Sequence, residues 1–361
     1  MIRDFDPAAF FSPLKLRRVD AVGRIALACA RLLFDDAPGA QGEHVGIALG
    51  TSTAGLDSLA EYLDGLSEHG PAGVPAILFS NTVANAPASL CAIEFGLRGP
   101  NVTFNQREAS SLAALAFSVG AIRQGRTTAM VTGGADGVEE TFFKVHDRFR
   151  ALSPMRGALS SMPGTEAARP FDRDRNGFIL GEGGFLLLIE SATAAEQRGA
   201  RVYGEIAGVG GTASKTELNG WPADGTGLVR AMRLALSDAG VRADEVGAVI
   251  GTSNGSPALD RHEADAITEV FGAPSIPVAS VKGAVGESGA SGAAGLIAGL
   301  LSIGAGGTLV PTAGFLHPDP ALAVCVSSRS QPVKGGAFLV NSVASGGTNY
   351  SLLVRATSPR P

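Results

Sequence analysis

Positive charge is scarce in this chain relative to negative: 29 Lys and Arg stand against 34 Asp and Glu, a net charge of −5 with a pI near 5.6. No basic stripe runs through it, so it lacks the electrostatic footprint of a nucleic-acid binder. Long apolar runs are also missing. The apolar stretches are Gly- and Ala-rich and fall short of the ~18 strongly apolar residues that read as a membrane span. The opening MIRDFDPAAFFSPLKLRRVD has no charged segment followed by an apolar one, so no secretory signal is expected. Cysteine is rare, and Cys29, Cys91 and Cys325 share no spacing logic. A reduced cytoplasm is the simplest setting, with no disulfide framework. What the chain does have is 45% hydrophobic residues over 361 positions, enough for a large core, and 49 Gly dispersed as turns and close contacts.

Apolar spacing predicts a helix over residues 19–35 with Asp20 as its cap, then a short buried strand His44–Gly50. The same sequence of elements recurs at 226–240 and Val246–Gly251. The strand ends match: VGIALGTSTAG from Val45 and VGAVIGTSNGS from Val246. A small-residue helix after residue 108 has its counterpart at Gly292–Gly306, and the strand Thr128–Gly137 is echoed by Ala337–Gly347. The bland alternative is chance likeness between Gly-rich strands. Duplication predicts two similar α/β halves related by a pseudo-two-fold, 1–195 and 196–361, joined through the polar helical connector Glu190–Arg201.

The most informative stretch is Gly99–Gly125. A β-type run, Asn101–Asn105, turns sharply at Gln106-Arg107-Glu108 and enters a helix over Ala109–Arg123. A strand that stops at a helix N-terminus points one side chain into the gap, as at a nucleophile elbow. Unpaired N–H groups of the first helical turn are available there to an anion. Enzymes place Ser or Cys at such a corner, and this chain places Glu108.

Residues 169–190, RPFDRDRNGFILGEGGFLLLIE, closely resemble the hallmark of the β-ketoacyl-acyl carrier protein synthases, with Phe171, Asp172, Arg175, Gly177 and Glu182 in the matching positions. The likeness continues, in order, through GLRGPNVT (96–103), GRTTAMVTGGADG (125–137), ALSPM (151–155), SVKGAVGE (280–287) and GGTNYSL (346–352). It covers nearly the whole chain, with an N-terminus that looks shortened by the family's opening strand. The resemblance implies a thiolase-like fold, two fused halves in five α/β/α/β/α layers, and a dimer. It also implies that the hallmark residues tie loops together beneath the active site.

The chemical positions depart from the family. Glu108 stands where the resemblance implies the nucleophilic Cys, Thr252 and Glu287 where it implies the two histidines, and Ser345 where it implies the gating Phe; Lys282 is retained. Condensation needs a thiolate to hold the acyl group and two imidazoles to stabilise the enolate. None of the five His (His44, His69, His146, His262, His317) falls at a catalytic position. Glu108 is read as holding the corner closed through the helix N–H groups or Arg107; a chemical role would be to mimic the substrate carboxylate. Glu287 is read as a loop carboxylate partnered by Lys282. His262 is placed at an exposed helix start, and the SGASGAAG run (288–295) as close helix packing rather than a phosphate site. No metal and no cofactor are expected.

Sequences with this frame intact and these positions lost resemble chain-length factors, the non-condensing partners of type II ketosynthases. The resemblance then implies a heterodimer with an active ketosynthase, and binding of an acyl carrier protein whose phosphopantetheine carries the chain. It implies a tunnel lined by Thr53, Leu56 and Phe104 and by an apolar loop at the dimer contact, Ile77, Leu78 and Phe79. Two other classes fit the residues: a malonyl decarboxylase or acyltransferase using Glu108, and a homodimeric carrier-protein scaffold.

Overall fold

The computed structural model describes residues 2–154, 166–217, 220–273 and 276–357. Met155, the last residue of the ALSPM match, lies outside them. Strand β1 (Val45–Gly50) is central to the first sheet, flanked by β2 (Asn101–Phe104) and β3 (Ala129–Asp136), with β4 (Gly183–Glu190) beyond β3. The order is β2-β1-β3-β4, parallel except for antiparallel β4. The second sheet holds β5 (Gly204–Ala213), β6 (Ala248–Ile250), β7 (Pro277–Ala279), β8 (Cys325–Val326), β9 (Ala337–Val343) and β10 (Thr348–Ala356). Its order is β5-β10-β9-β6-β7-β8. Superimposing β1 on β6 matches β2 to β7, β3 to β9 and β4 to β10, with every pairing in the same sense. The halves are a duplication.

Helices separate and cover these sheets. Helix α1 (Ala21–Asp36) starts where the Asp20 carboxylate accepts from Gly23 N–H at 2.7 Å. It buries Val22, Ile25 and Leu27 against Val45, Ile47 and Leu49, the outer face of β1. Helices α2 (Leu56–His69), α3 (Ala76–Phe79) and α4 (Ala86–Phe95) follow β1. Helix α5 (Ser110–Arg123) lies on the inner face with its counterpart α10 (Ser291–Gly306). Their Leu112, Leu115, Ala293 and Leu296 form one core with Ile250, Val340 and Leu352 of the second sheet. Helices α8 (Thr226–Ala239) and α9 (Pro257–Phe271) cover the far side. The result is the five-layer thiolase-like sandwich. The β1 strand is buried at every residue, which is why it reads as an unbroken apolar run.

Several boundaries differ from the sequence expectation. Strand β2 stops at Phe104, and a 3-10 turn over Arg107–Ala109 precedes α5, so the helix begins at Ser110. His262 is the sixth residue of α9 and half-buried, not an exposed helix start, because Pro257 already opens that helix. The apolar run Ile77-Leu78-Phe79 is not a loop but the single turn α3, initiated after Pro75.

Candidate functional site

The corner after β2 is built by close approach. A Cβ on Gly50 would come within 2.3 Å of the Ser110 carbonyl carbon, so only glycine lets the end of β1 touch the start of α5. Arg107 takes φ +50°, a left-handed conformation that costs a non-glycine residue about 1–3 kcal/mol. The Ser110 hydroxyl clamps the turn, receiving Gln106 N–H at 2.8 Å and lying 2.6 Å from the Arg107 carbonyl.

Glu108 is buried in that turn, and its carboxylate is held by the other half of the molecule. Ser345 donates its backbone N–H to Oε2 at 2.9 Å and its hydroxyl to Oε1 at 2.9 Å. Arg107 Nη1 donates to the same Ser345 hydroxyl at 3.0 Å, and Ser342 Oγ donates to the Glu108 carbonyl at 3.0 Å. The corner is therefore tied, but not by the first N–H groups of α5. Ser111 N–H instead reaches the Gly289 carbonyl at 2.9 Å, because the second half supplies an acceptor that no reading of the first half could see. Gly289 itself fits against Arg107, Asp136 and Ser52, and Gly292 against Leu112, which makes the SGASGAAG run a packing surface.

The second cluster adjoins the first. Lys282 Nζ donates to Glu287 Oε2 at 2.8 Å and to Thr252 Oγ1 at 3.2 Å, with both charged side chains almost fully buried. Asn254 Nδ2 and Ser291 Oγ complete the shell of Glu287. Burial pushes the Glu287 carboxyl above its usual range; Lys282 pulls it back and the Glu108 charge adds to the rise. The loop after β6 hangs on two further buried acids: Glu263 accepts Thr252 N–H and Ser253 N–H, and Asp260 accepts Asn254 N–H and Phe171 N–H. In the first half Asp136 receives the hydroxyls and N–H groups of the Thr51–Thr53 turn. Neither buried acid of α9 was singled out from the sequence as a strut; the Asp260–Glu263 spacing, one helical turn after a Ser-Asn-Gly turn, was the available signal.

Hallmark residues join loops. Phe171 (φ +61°) is buried, Asp172 accepts Leu316 and His317 N–H at 2.6 Å each, and Arg175 pairs with Asp319 at 2.6 Å. Gly177 N–H donates to the Gly255 carbonyl, and Glu182 receives Val138 N–H and Ile2 N–H. Asp172, Asp174 and His317 bring ligand-type atoms within 4.8 Å of one another, but Asp172 is committed to backbone and Asp174 to His317. They form a loop clasp.

Of the residues expected to line a tunnel, Thr53 is buried with its hydroxyl on Asp136, and Leu56 and Leu78 are half-buried. Phe104 meets Phe117 at 5.5 Å between ring centres. Ile77 and Phe79 are 48% and 63% exposed, so they present an apolar surface rather than an enclosed wall in this single chain. One neighbour was missed. His146, on α6 (Glu140–Arg148), packs between Phe142, tilted against it, and Phe178, edge-on, and is close enough to Arg107 and Glu287 for both charges to act on it.

Two fused halves of this topology, meeting at a buried strand–helix corner, define a thiolase-like acyl-transfer frame. The chain belongs to the β-ketoacyl synthase family: the family's N-terminal domain matches residues 1–194 and its C-terminal domain residues 203–316. It is 29% identical to the 3-oxoacyl-[acyl-carrier-protein] synthase 2 of a Synechocystis strain, over 97% of this chain and 85% of that one. It is 33% identical to the tetracenomycin polyketide synthase ketoacyl synthase alpha subunit of Streptomyces glaucescens, over 88% of this chain and 76% of that one. Among solved structures, the ishigamide ketosynthase/chain length factor superposes with a TM-score of 0.88 at 28% identity, covering 98% of this chain and 86% of that one. No helix among the described residues is long and apolar enough to cross a membrane.

Proposed function

We propose that this chain is a non-condensing, chain-length-factor-type subunit that pairs with a Cys-bearing ketosynthase in type II polyketide, polyene or fatty-acyl synthesis. One observation carries the reading. The corner where an acyl-accepting thiol would sit holds a carboxylate whose two oxygens are both bound by Ser345. A carboxylate so engaged is a poor acyl acceptor, since its mixed anhydride would be far more labile than a thioester. No imidazole faces it from the Thr252 or Glu287 positions. The neighbouring Glu287–Lys282 pair keeps a second acid in the space where a malonyl carboxylate would have to lose carbon dioxide. These features favour the non-condensing reading over a decarboxylase or acyltransferase working through Glu108.

The active partner supplies the thiolate and both imidazoles, and the acyl carrier protein delivers the chain to the pair. The outer edge of β2 and the exposed Ile77 and Phe79 are the surfaces assigned to the partner, with Leu56, Leu78, Phe104 and the Thr53 turn behind them. Within the subunit the division falls near residue 195, in the helical connector α7 (Ala192–Gln197). The test is co-expression with a Thr-Ala-Cys ketosynthase encoded nearby. A 1:1 complex that survives size exclusion supports the reading, and a stable homodimer that ignores that partner supports the scaffold class instead.

A further inference from the structure

The turn between β9 and β10, residues 344–347, aims one donor out of itself. The Ala344 N–H ends on the Thr348 carbonyl at 2.8 Å, the Gly346 N–H on the Gly220 carbonyl at 3.1 Å and the Gly347 N–H on the Ala344 carbonyl at 2.9 Å. Of the turn's N–H groups, that of Ser345 alone ends on a side chain, at Glu108 Oε2. The backbone around it is set within the second half. Gly346 and Gly347 take φ +117° and +92°, and a Cβ on Gly347 would meet the Ser214 carbonyl oxygen at 2.1 Å. The direction of the Ser345 N–H is therefore fixed by its neighbours rather than by Glu108.

The Ser345 hydroxyl is aimed the same way for a different reason. Arg107 Nη1 donates to its oxygen at 3.0 Å, and a guanidinium has no acceptor to offer in return, so the hydroxyl hydrogen is left for the carboxylate. That oxygen lies 2.9 Å from Glu108 Oε1 and 3.1 Å from Oε2. Both side chains are buried. Two convergent donors, with a positive charge behind one of them, are the parts of a carboxylate receptor. The neighbouring acid cannot serve it, because Glu287 is committed to Lys282, Asn254 and Ser291. Glu108 reaches the donors on a fixed tether, its own carbonyl held by Ser342 Oγ at 3.0 Å.

We propose that Ser345, oriented by Arg107, is a receptor for one short carboxylate, and that Glu108 is its tethered occupant, an autoinhibitory contact that keeps carboxylate-bearing ligands out of the corner. A second carboxylate cannot be added beside the first. Both Glu108 oxygens are already bound, and Glu287 places another acid close enough for the two charges to interact, so a ligand has to displace Glu108. The receptor selects a carboxylate over a neutral isostere because both of its groups donate. That malonyl-type acyl groups are thereby excluded from this subunit rests on the acyl-frame reading above. The receptor itself does not, and its test uses the chain alone, so the two can fail separately.

Truncating Glu108 to Ala removes one methylene and the carboxylate, which are the heavy atoms of acetate. The probe is sodium acetate added to the full chain, with ionic strength held constant by chloride, and the readout is amide hydrogen exchange at Ser345. In Glu108→Ala that amide should exchange at least about 10-fold faster than in the natural chain, as expected on losing a charged acceptor. Millimolar acetate should restore most of the protection, acetamide, its neutral isostere, should not, and the natural chain should respond to neither. Unchanged exchange in the variant would overturn the proposal. So would failure of acetate to restore protection, rescue by acetamide as well as by acetate, or an acetate response in the natural chain. Glu108→Gln covers the case in which the Ala variant does not fold. It fills the same space and keeps an acceptor oxygen, so it should fold, exchange faster at Ser345 and ignore acetate. Natural exchange rates or an acetate response in that variant would equally overturn the proposal.

Discussion

A glutamate at a strand–helix corner can be held by the helix it precedes or by whatever faces it across the gap, and here the facing residue wins. Ser345 offers an N–H and a hydroxyl in one geometry, while the first turn of α5 is occupied by Gly289. Replacing Glu108 with Ala leaves the Ser345 N–H without its charged acceptor. Hydrogen bonds to charged groups contribute about 1.5–3 kcal/mol each, so Glu108→Ala should lower stability by about 2–3 kcal/mol in denaturant titration. Glu108→Gln should lose less. His146 gives a prediction with a pH signature. Burial holds its imidazole below the ordinary value, Arg107 lowers it further, and the Phe142 carbonyl and Glu287 pull it up. The unfolded chain therefore binds a proton there, at pH values below about 6.5, that the folded chain resists. That cost is absent at pH 8 and grows as pH falls through the unfolded value. His146→Phe, which keeps an aromatic ring between Phe142 and Phe178, should raise the melting temperature at pH 5 and change it little at pH 8. An equal shift at both pH values would show that packing, not titration, sets the difference.

At the scale of elements, the sequence displayed the frame well and the contacts between its halves poorly. Strands such as Val45–Gly50 announce themselves because burial on both faces demands an unbroken apolar run, and the matching VGAVIG exposed the duplication. The Lys282–Glu287 pair was legible because five residues separate it across a glycine turn. The Ser345–Glu108 bond, 237 residues apart, was not, and neither was the burial of Asp260 and Glu263 within a charged run of α9. Residue 79 carried an apolar side chain that the sequence put in a loop, and only the turn following Pro75 made it helical. Gly50 tests the element level directly. Its missing side chain is what lets β1 and α5 touch, and the atoms a Cβ would meet are backbone. Gly50→Ala should destabilise by about 1–3 kcal/mol through overpacking, checked by urea unfolding.

For the whole molecule, the proposed function is that of a synthase frame retained as an architectural partner. If the tunnel continues past α3 into the pair, a growing chain gains about 0.8 kcal/mol for each methylene it buries, and a wall that stops it opposes each further unit. Leu78→Ala and Phe79→Ala on this subunit should therefore shift the product mass profile of the reconstituted pair to longer chains, with the partner's Cys unchanged. An unchanged profile in well-assembled variants would place the wall elsewhere. The central claim is that this subunit carries no acyl chain on any of its own residues. Intact mass spectrometry of the reconstituted pair, after incubation with acyl and malonyl carrier proteins, reads that directly. The proposal predicts an acyl adduct on the Cys-bearing partner only, no adduct or condensation product from this subunit alone, and no condensation by its Glu108→Cys variant, because a cooperating set is not restored by one member. A stable adduct on the natural subunit, or turnover by it alone, would contradict the account.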